Sequence, residues 1–578
     1  MASVFQEHLS AADKHIRETG LHYTFENVGS LSGGDQGDGT YKNYILVADY
    51  SDPDVIRVDD TYYMVTSTFH LNPGLTILES KDLVNWSFTS NAIEDMSVLS
   101  PHFSPQAMDG YSAGIWAPSI RYHNGTFYIH VGGPLIGLVV CKATDIHGPW
   151  TVERMKMTKP WTGRKLIDCC PLWDDDGKAY FAASEPYKTP DGVWVDYHNY
   201  LFEMSEDGTT LLDNGVLIHS GWTSEAMKLY KINGWYYIFY SESPADESRI
   251  RSQFAARSRS IYGPYHICKL IHTHGQPDQG PNQGGLVEDV DGNWWFLCHG
   301  MSRAPLSSNG RQLMLLPVYW ENGWPMIGED LDGDGVGEMI WRHKKPACKS
   351  SVTPHLPAAT DEFDKPELGL QWSWNHKDRP DRWSLTERPG YLRLKACKPV
   401  LNGGFYHACN TLTQRIMGET GTIDAVLDTS GMIDGQYAGL CLQADPSLLL
   451  GVYQENGKKY IRWQYTRYPR TNDASSTAYD DNFYQKDICE IPAQAGGGTS
   501  VYFRMKIRGE KARLYYSLDG EENTLAEDWI RFGFFAWRGG RPGFFTYNEF
   551  DEGGVADFDY FRYAIDDETP AAGSVWVE

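Results

Sequence analysis

The stretch SEAMKLYKINGWYYIFY, residues 224–240, decides the fold. From Leu229 on it reads as a buried β-hairpin, because apolar and aromatic residues flank Asn233-Gly234, a pair that tolerates the positive φ angles of a type I′ turn. Its opening residue, Glu225, sits oddly in such a hairpin. An isolated carboxylate pointed into a core costs several kcal/mol unless it is paired, wet or used.

The hairpin has four relatives upstream and downstream: DVIRVDDTYYMVTST from Asp54, PSIRYHNGTFYIHVG from Pro118, CPLWDDDGKAYFAAS from Cys170 and GLVEDVDGNWWFLCHG from Gly285. Each is a short apolar strand, a polar turn and an aromatic-rich strand. The second turn residues, Asp60, Gly125, Gly177, Gly234 and Gly292, are separated by 65, 52, 57 and 58 residues. A weaker signature, SKDLVNW (80–86), ATDIHGPW (143–150) and SRSIYGPY (258–265), fits the outer strands of the same units. Repeats of this length hold four strands each, which predicts an all-β, five-bladed β-propeller. Helical signals are too few for an α/β barrel; a long β-sandwich is the rival architecture.

Counting back nine residues from each marker reaches Trp116, Asp168, Glu225 and Gln283, and eight residues from Asp60 reaches Asp52. If these positions begin the innermost strands, their side chains share one end of the central axis, and three are carboxylic acids. The plain alternative is that the acids cap strand starts or hold a structural ion. Two carboxyl groups across a sugar-sized gap are the machinery of glycoside hydrolysis, one protonated and one ionised. A third carboxylate at about 5 Å repels by roughly 3 kcal/mol at an effective dielectric near 20, which would lift a glutamic acid to about 6–7. Asp168 is the natural perturber of Glu225, and Asp52 suits the base.

The remaining composition narrows the function classes. With 578 residues the chain exceeds a single core, so two or more domains are expected. A net charge of −25 disfavours nucleic acid and anionic membrane as partners. No apolar run approaches the ~18 residues of a membrane span. Aromatics at 13% suit the apolar faces of sugars and all-β cores alike. The start, MASVFQEHLSAADKHIRETG, has no apolar signal-peptide core, so the reading is intracellular, with a secreted protein lacking its leader as the alternative. Ten cysteines without a CxxC pair read as mostly buried thiols.

The set YSDPDVIRVDDTYYMV, WAPSIRYHNGTFYI, IDCCPLWDDDGKAY, SEAMKLYKINGWYY and NQGGLVEDVDGNWW resembles the propeller of glycoside hydrolase family 43, from about Gly37 to Glu338. The resemblance implies an exo-acting, inverting β-xylosidase or α-L-arabinofuranosidase that releases terminal xylose or arabinose from xylan-derived oligosaccharides. It implies Asp52 as general base, Glu225 as general acid and Asp168 as the residue that tunes and orients the acid. Arg311, in GRQLMLLPVYW, matches a substrate-contacting arginine, and Trp116 and Phe69 resemble pocket walls, with core packing as their alternative. Gln283 is placed with the substrate-binding residues. Many members carry a histidine where Asn282-Gln283 stand, which weakens the expectation of an axial ion. A non-catalytic carbohydrate-binding propeller and a β-fructosidase are the competing readings; the three acids weigh against the first. Ala226 after Glu225, where β-fructosidases commonly have cysteine, weighs against the second.

EDLDGDGVGE, 329–338, places Asp330, Asp332, Asp334 and Glu338 as in a structural calcium loop, or equally as a solvated Asp/Gly turn. The chemistry itself requires no cofactor. The expected organisation is an N-terminal extension (1–36), the propeller (37–343), a proline-bearing linker (344–359) and a β-sandwich (360–578) that resembles the accessory domain of some family members. That domain would bind sugar itself, or brace the propeller and wall one side of the pocket. Oligomeric state is not legible in the sequence.

Overall fold

The computed structural model describes residues 33–163, 165–188, 194–243, 251–272, 279–301, 306–331, 333–400, 403–468, 483–492, 499–521 and 523–565. Residues 1–32 of the expected N-terminal extension lie outside these. The architecture is all-β, with a propeller-like arrangement followed by a β-sandwich. No helix among the described residues is long and apolar enough to cross a membrane.

The hairpin that opened the sequence reading forms as its turn chemistry requires. Ile232 pairs with Trp235, and Asn233 and Gly234 take φ of 50° and 71°. It extends into a four-stranded sheet, Glu225–Ile232, Trp235–Glu242, Ser252–Ser258 and His266–Lys269. Two more four-stranded antiparallel sheets begin at Asp54–Val58 and Trp116–His123. A six-stranded sheet begins at Ile167–Trp173. A seven-stranded sheet joins Gln279–Glu288, Trp294–Met301 and Gln312–Glu321 to the N-terminal strand Thr40–Asp49, so the two ends of this region are hydrogen-bonded together. The first strands of successive sheets lie side by side, and Gln279–Glu288 returns against Asp54–Val58. Apolar clusters fill the space between the sheets; one unites Tyr44, Phe239, Phe296 and Trp341.

Polar groups lock the axis beneath the strand starts. Asp54, fully buried, accepts hydrogen bonds from the Arg121 guanidinium at 2.7 Å and the Ile120 amide at 2.9 Å. Lys228 donates to Pro118 O at 2.9 Å and Ser119 Oγ at 2.6 Å. Lys228 Nζ also lies 3.8 Å from Asp54 Oδ2, so charges drawn from three sheets meet at this point.

The second region packs an eight-stranded sheet on a seven-stranded one. Their facing residues, among them Trp372, Phe503, Phe544 and Phe561, form one core. The eight-stranded sheet ends on a strand from the first region: Leu71 and Asn72 pair with Asn375 and Trp374. Cys397 and Cys409 form a disulfide, whereas Cys141, Cys169, Cys170, Cys298 and Cys441 are buried and free.

Candidate active site

Four of the inner strands begin with a backbone irregularity. Register shifts fall between Trp116 and Ser119, Ile167 and Cys170, Glu225 and Lys228, and Asn282 and Gly284. Within these bulges Ala117, Asp168, Ala226 and Gln283 take positive φ, as does Asp52 just ahead of Asp54–Val58. Such bulges bend a strand and re-aim its side chains. The pairing corrects the residue count made from the sequence: Glu225 and Trp116 match Ile167, and the equivalent of Asp168 is Ala226.

Asp52 is 5% exposed and held from several sides. Arg311 donates through Nη1 to its Oδ1 at 2.6 Å, and Ser67 Oγ donates to its Oδ2 at 2.5 Å. The Asp52 amide donates to His299 Nδ1 at 2.8 Å. Burial alone would raise this carboxyl, but Arg311, then His299 and Ser67, outweigh it and hold it below the usual range. Burial and the Arg311 charge bring His299 itself down to about 3, so its neutral ring accepts at Nδ1. Ser67 Oγ also accepts the Ala117 amide at 2.7 Å, tying Asp52 to the residue after Trp116.

Asp168, 4% exposed, has the opposite environment. Burial pushes its carboxyl well up, and the charges of Glu225 and Asp52 add to that. Its Oδ2 accepts the Ala226 amide at 3.2 Å. Glu225 is largely buried and forms an ion pair with Arg251 Nη1, and the Tyr197 hydroxyl also hydrogen-bonds to it. Arg251 acts electrostatically on all three acids, so they share one site.

The other sequence-assigned residues border this centre. The Phe69 ring lies 5.8 Å from the Arg311 guanidinium, and its backbone pairs with Ile115, next to Trp116. Trp116 donates through its indole to Ser112 O at 2.5 Å. The Gln283 amide donates to Gln253 Oε1 at 2.9 Å. Arg311 Nη2 donates to the carbonyl of Trp537 at 3.2 Å, so the sandwich domain reaches the centre. Trp537 is 55% exposed.

Ser67, Tyr197, Arg251, His299 and Trp537 were missed by sequence reasoning. Only the position of His299, opposite Asn282 on the neighbouring strand, could have been derived from the hairpin register.

The acidic loop is separate. Asp330 accepts the amides of Gly333 and Gly335, and Asp334 accepts the Val336 amide and pairs with His272 at 2.8 Å. These are the bonds of a self-capped turn. Asp332 lies outside the described residues, and among the described residues no three His, Cys, Asp or Glu side chains converge as metal ligands do.

The family model described as glycosyl hydrolases family 43 matches residues 41–325, and that described as beta xylosidase C-terminal Concanavalin A-like domain matches 360–564. A beta-xylosidase of Formosa agariphila is 37% identical over 571 residues, covering 93% of this chain and 92% of that protein. A non-reducing end alpha-L-arabinofuranosidase of Bacteroides ovatus is 30% identical, covering 70% of this chain and 74% of its own length. The crystal structure of a xylan beta-1,4-xylosidase from Bacillus halodurans superposes with a TM-score of 0.75 at 26% identity, over 90% of this chain and 99% of that one. The chain therefore belongs to glycosyl hydrolase family 43 and is a glycosidase.

Proposed function

We propose an exo-acting, inverting glycosidase that releases terminal xylose or arabinose from xylan-derived oligosaccharides. The single observation that carries the reading is the contrast between two buried acids of one site. Arg311 holds Asp52 in its ionised form, and burial with neighbouring charge pushes Asp168 towards its neutral form. A site that holds one carboxyl ionised beside others is equipped for general base and general acid work.

In this reading Asp52 removes a proton from water as it attacks the anomeric carbon. Glu225 gives its proton to the glycosidic oxygen as the bond to the leaving group breaks. Asp168 orients the acid through the Ala226 amide. Carboxyls and water suffice for these steps, so no cofactor enters them. Phe69, Trp116 and Arg311 line the place of the terminal sugar. The contact between Arg311 and Trp537 supports a pocket closed on one side by the sandwich domain, which favours chain ends. We count the seven-stranded sheet as the fifth blade, closed by Thr40–Asp49. The names of the Formosa and Bacteroides relatives support xylose and arabinose as the sugars.

The test is proton NMR of the first-formed anomer with xylobiose and with an aryl α-L-arabinofuranoside. Release of α-xylose from the β-linked substrate supports the reading; β-xylose as first product, or no release from either substrate, defeats it.

A further inference from the structure

An acid catalyst that rests against an arginine poses a problem. Arg251 Nη1 donates to Glu225 Oε1, with the two side chains 21% and 14% exposed. The guanidinium occupies a carboxyl oxygen from which the proton would have to be given to the glycosidic oxygen. Arg251 immediately precedes the strand Ser252–Ser258, in the same sheet as Glu225. Glu225 faces Ser241, and Ser241 faces Gln253, so Arg251 stands two residues beyond Gln253 at the same end of the sheet.

We propose that Arg251 is a positioning residue that clamps Glu225 while the site is empty and releases it to bind the leaving-group sugar. The inference rests on Glu225 being the general acid. The proton of Glu225 must reach the oxygen that joins two sugars, so the space beside Glu225 away from Asp52 belongs to the leaving unit. A guanidinium has five donors and no acceptor, which suits the hydroxyl oxygens of that unit. When the clamp turns to those hydroxyls, the Glu225 carboxyl is freed from its ion pair to face the glycosidic oxygen.

The surrounding charges fit this exchange. Tyr197 hydrogen-bonds to Glu225 from the preceding sheet and keeps the carboxyl in place when Arg251 leaves. Asp168, raised by burial and its acidic neighbours, also attracts the Arg251 charge and keeps it within the site when it leaves Glu225. Lys228, on the strand of Glu225, is committed to Pro118 and Ser119. Across the site Asp52 is paired with Arg311, and His299 is neutral.

The experiment records kcat/KM against pH for the wild type, Arg251→Met and Arg251→Lys on xylobiose and on 4-nitrophenyl β-D-xyloside. Loss of the cation should move the alkaline limb of Arg251→Met up by about one pH unit, and Arg251→Lys should keep it near the wild type. Loss of the leaving-sugar contact should lower kcat/KM of Arg251→Met about tenfold more on xylobiose than on the nitrophenyl substrate. An unmoved alkaline limb overturns the clamp, and equal losses on the two substrates overturn its release to the sugar. Wild-type turnover of xylobiose together with an inactive Glu225→Gln shows that the acid assignment stands whatever Arg251→Met does.

Discussion

Asp168 Oδ2 accepts the amide hydrogen of Ala226 at 3.2 Å, so a carboxyl from one sheet is fastened to the residue that follows Glu225 on the next. Asp168→Asn keeps an acceptor of the same shape and removes the ionisable group. Because the folded-state value is raised, the folded protein binds more protons than the unfolded chain above the ordinary carboxylate range, and stability falls as pH rises towards the raised value. Asp168→Asn should stabilise the protein by about 1 kcal/mol at pH 7 and cut kcat by about 10²- to 10³-fold. Urea unfolding at pH 5 and pH 7.5, paired with kinetics, measures both. An undiminished loss of stability with pH in the variant would contradict this account of Asp168.

Arg311 governs the opposite shift. Its Nη1 lies 2.6 Å from Asp52 Oδ1 and keeps that carboxyl below its usual range. An acid with a lowered value is ionised, and able to act as base, above that value. Arg311→Met should therefore move the acidic limb of kcat/KM upward by about one pH unit or more, with a loss on the order of 10²-fold at the optimum. A profile scaled down without displacement would mean that Arg311 only binds substrate.

The hairpins and the acids were legible because their signals are local. Asn233-Gly234 announces a tight turn by its tolerance of positive φ, and the aromatic strands around it repeat. The register of the acids was not legible. Trp173 pairs with Ala179 across a five-residue turn, and Ile232 with Trp235 across two, so the marker glycines stand at different depths in their hairpins. The bulges then add a residue without disturbing the apolar pattern downstream. A count from the turn thus reached both acids but equated Glu225 with Asp168, where the pairing equates it with Ile167. Arg251 and Tyr197 meet Glu225 only through tertiary packing, and neither stands in a motif that marks it.

Glu225 separates substrates by their leaving groups. Without a proton donor, a phenolate of low pKa still departs, whereas a sugar alkoxide does not. Glu225→Ala should lower kcat/KM on xylobiose by about 10³- to 10⁴-fold and on 2,4-dinitrophenyl β-D-xyloside by less than about tenfold. Equal losses on both substrates would remove Glu225 from the acid role.

The seam between the domains carries the last prediction. Gly539 donates its amide to Asp49 Oδ2 at 3.1 Å, and Asp49 Oδ1 accepts the Arg311 amide at 3.1 Å. The loop that presents the Trp537 carbonyl to Arg311 is thereby seated on the strand that leads to Asp52. A Cβ at position 539 would stand 2.4 Å from Asn309 C and 2.6 Å from Asn309 O. Both are backbone atoms that cannot rotate away, so the loop itself must lift. Gly539→Ala should cost about 1–3 kcal/mol of stability by overpacking. It should also raise KM more than it lowers kcat, because Arg311 loses its Trp537 partner while Asp52 and Glu225 keep theirs. Unchanged KM with lowered stability would show that the sandwich loop braces the fold without shaping the sugar site.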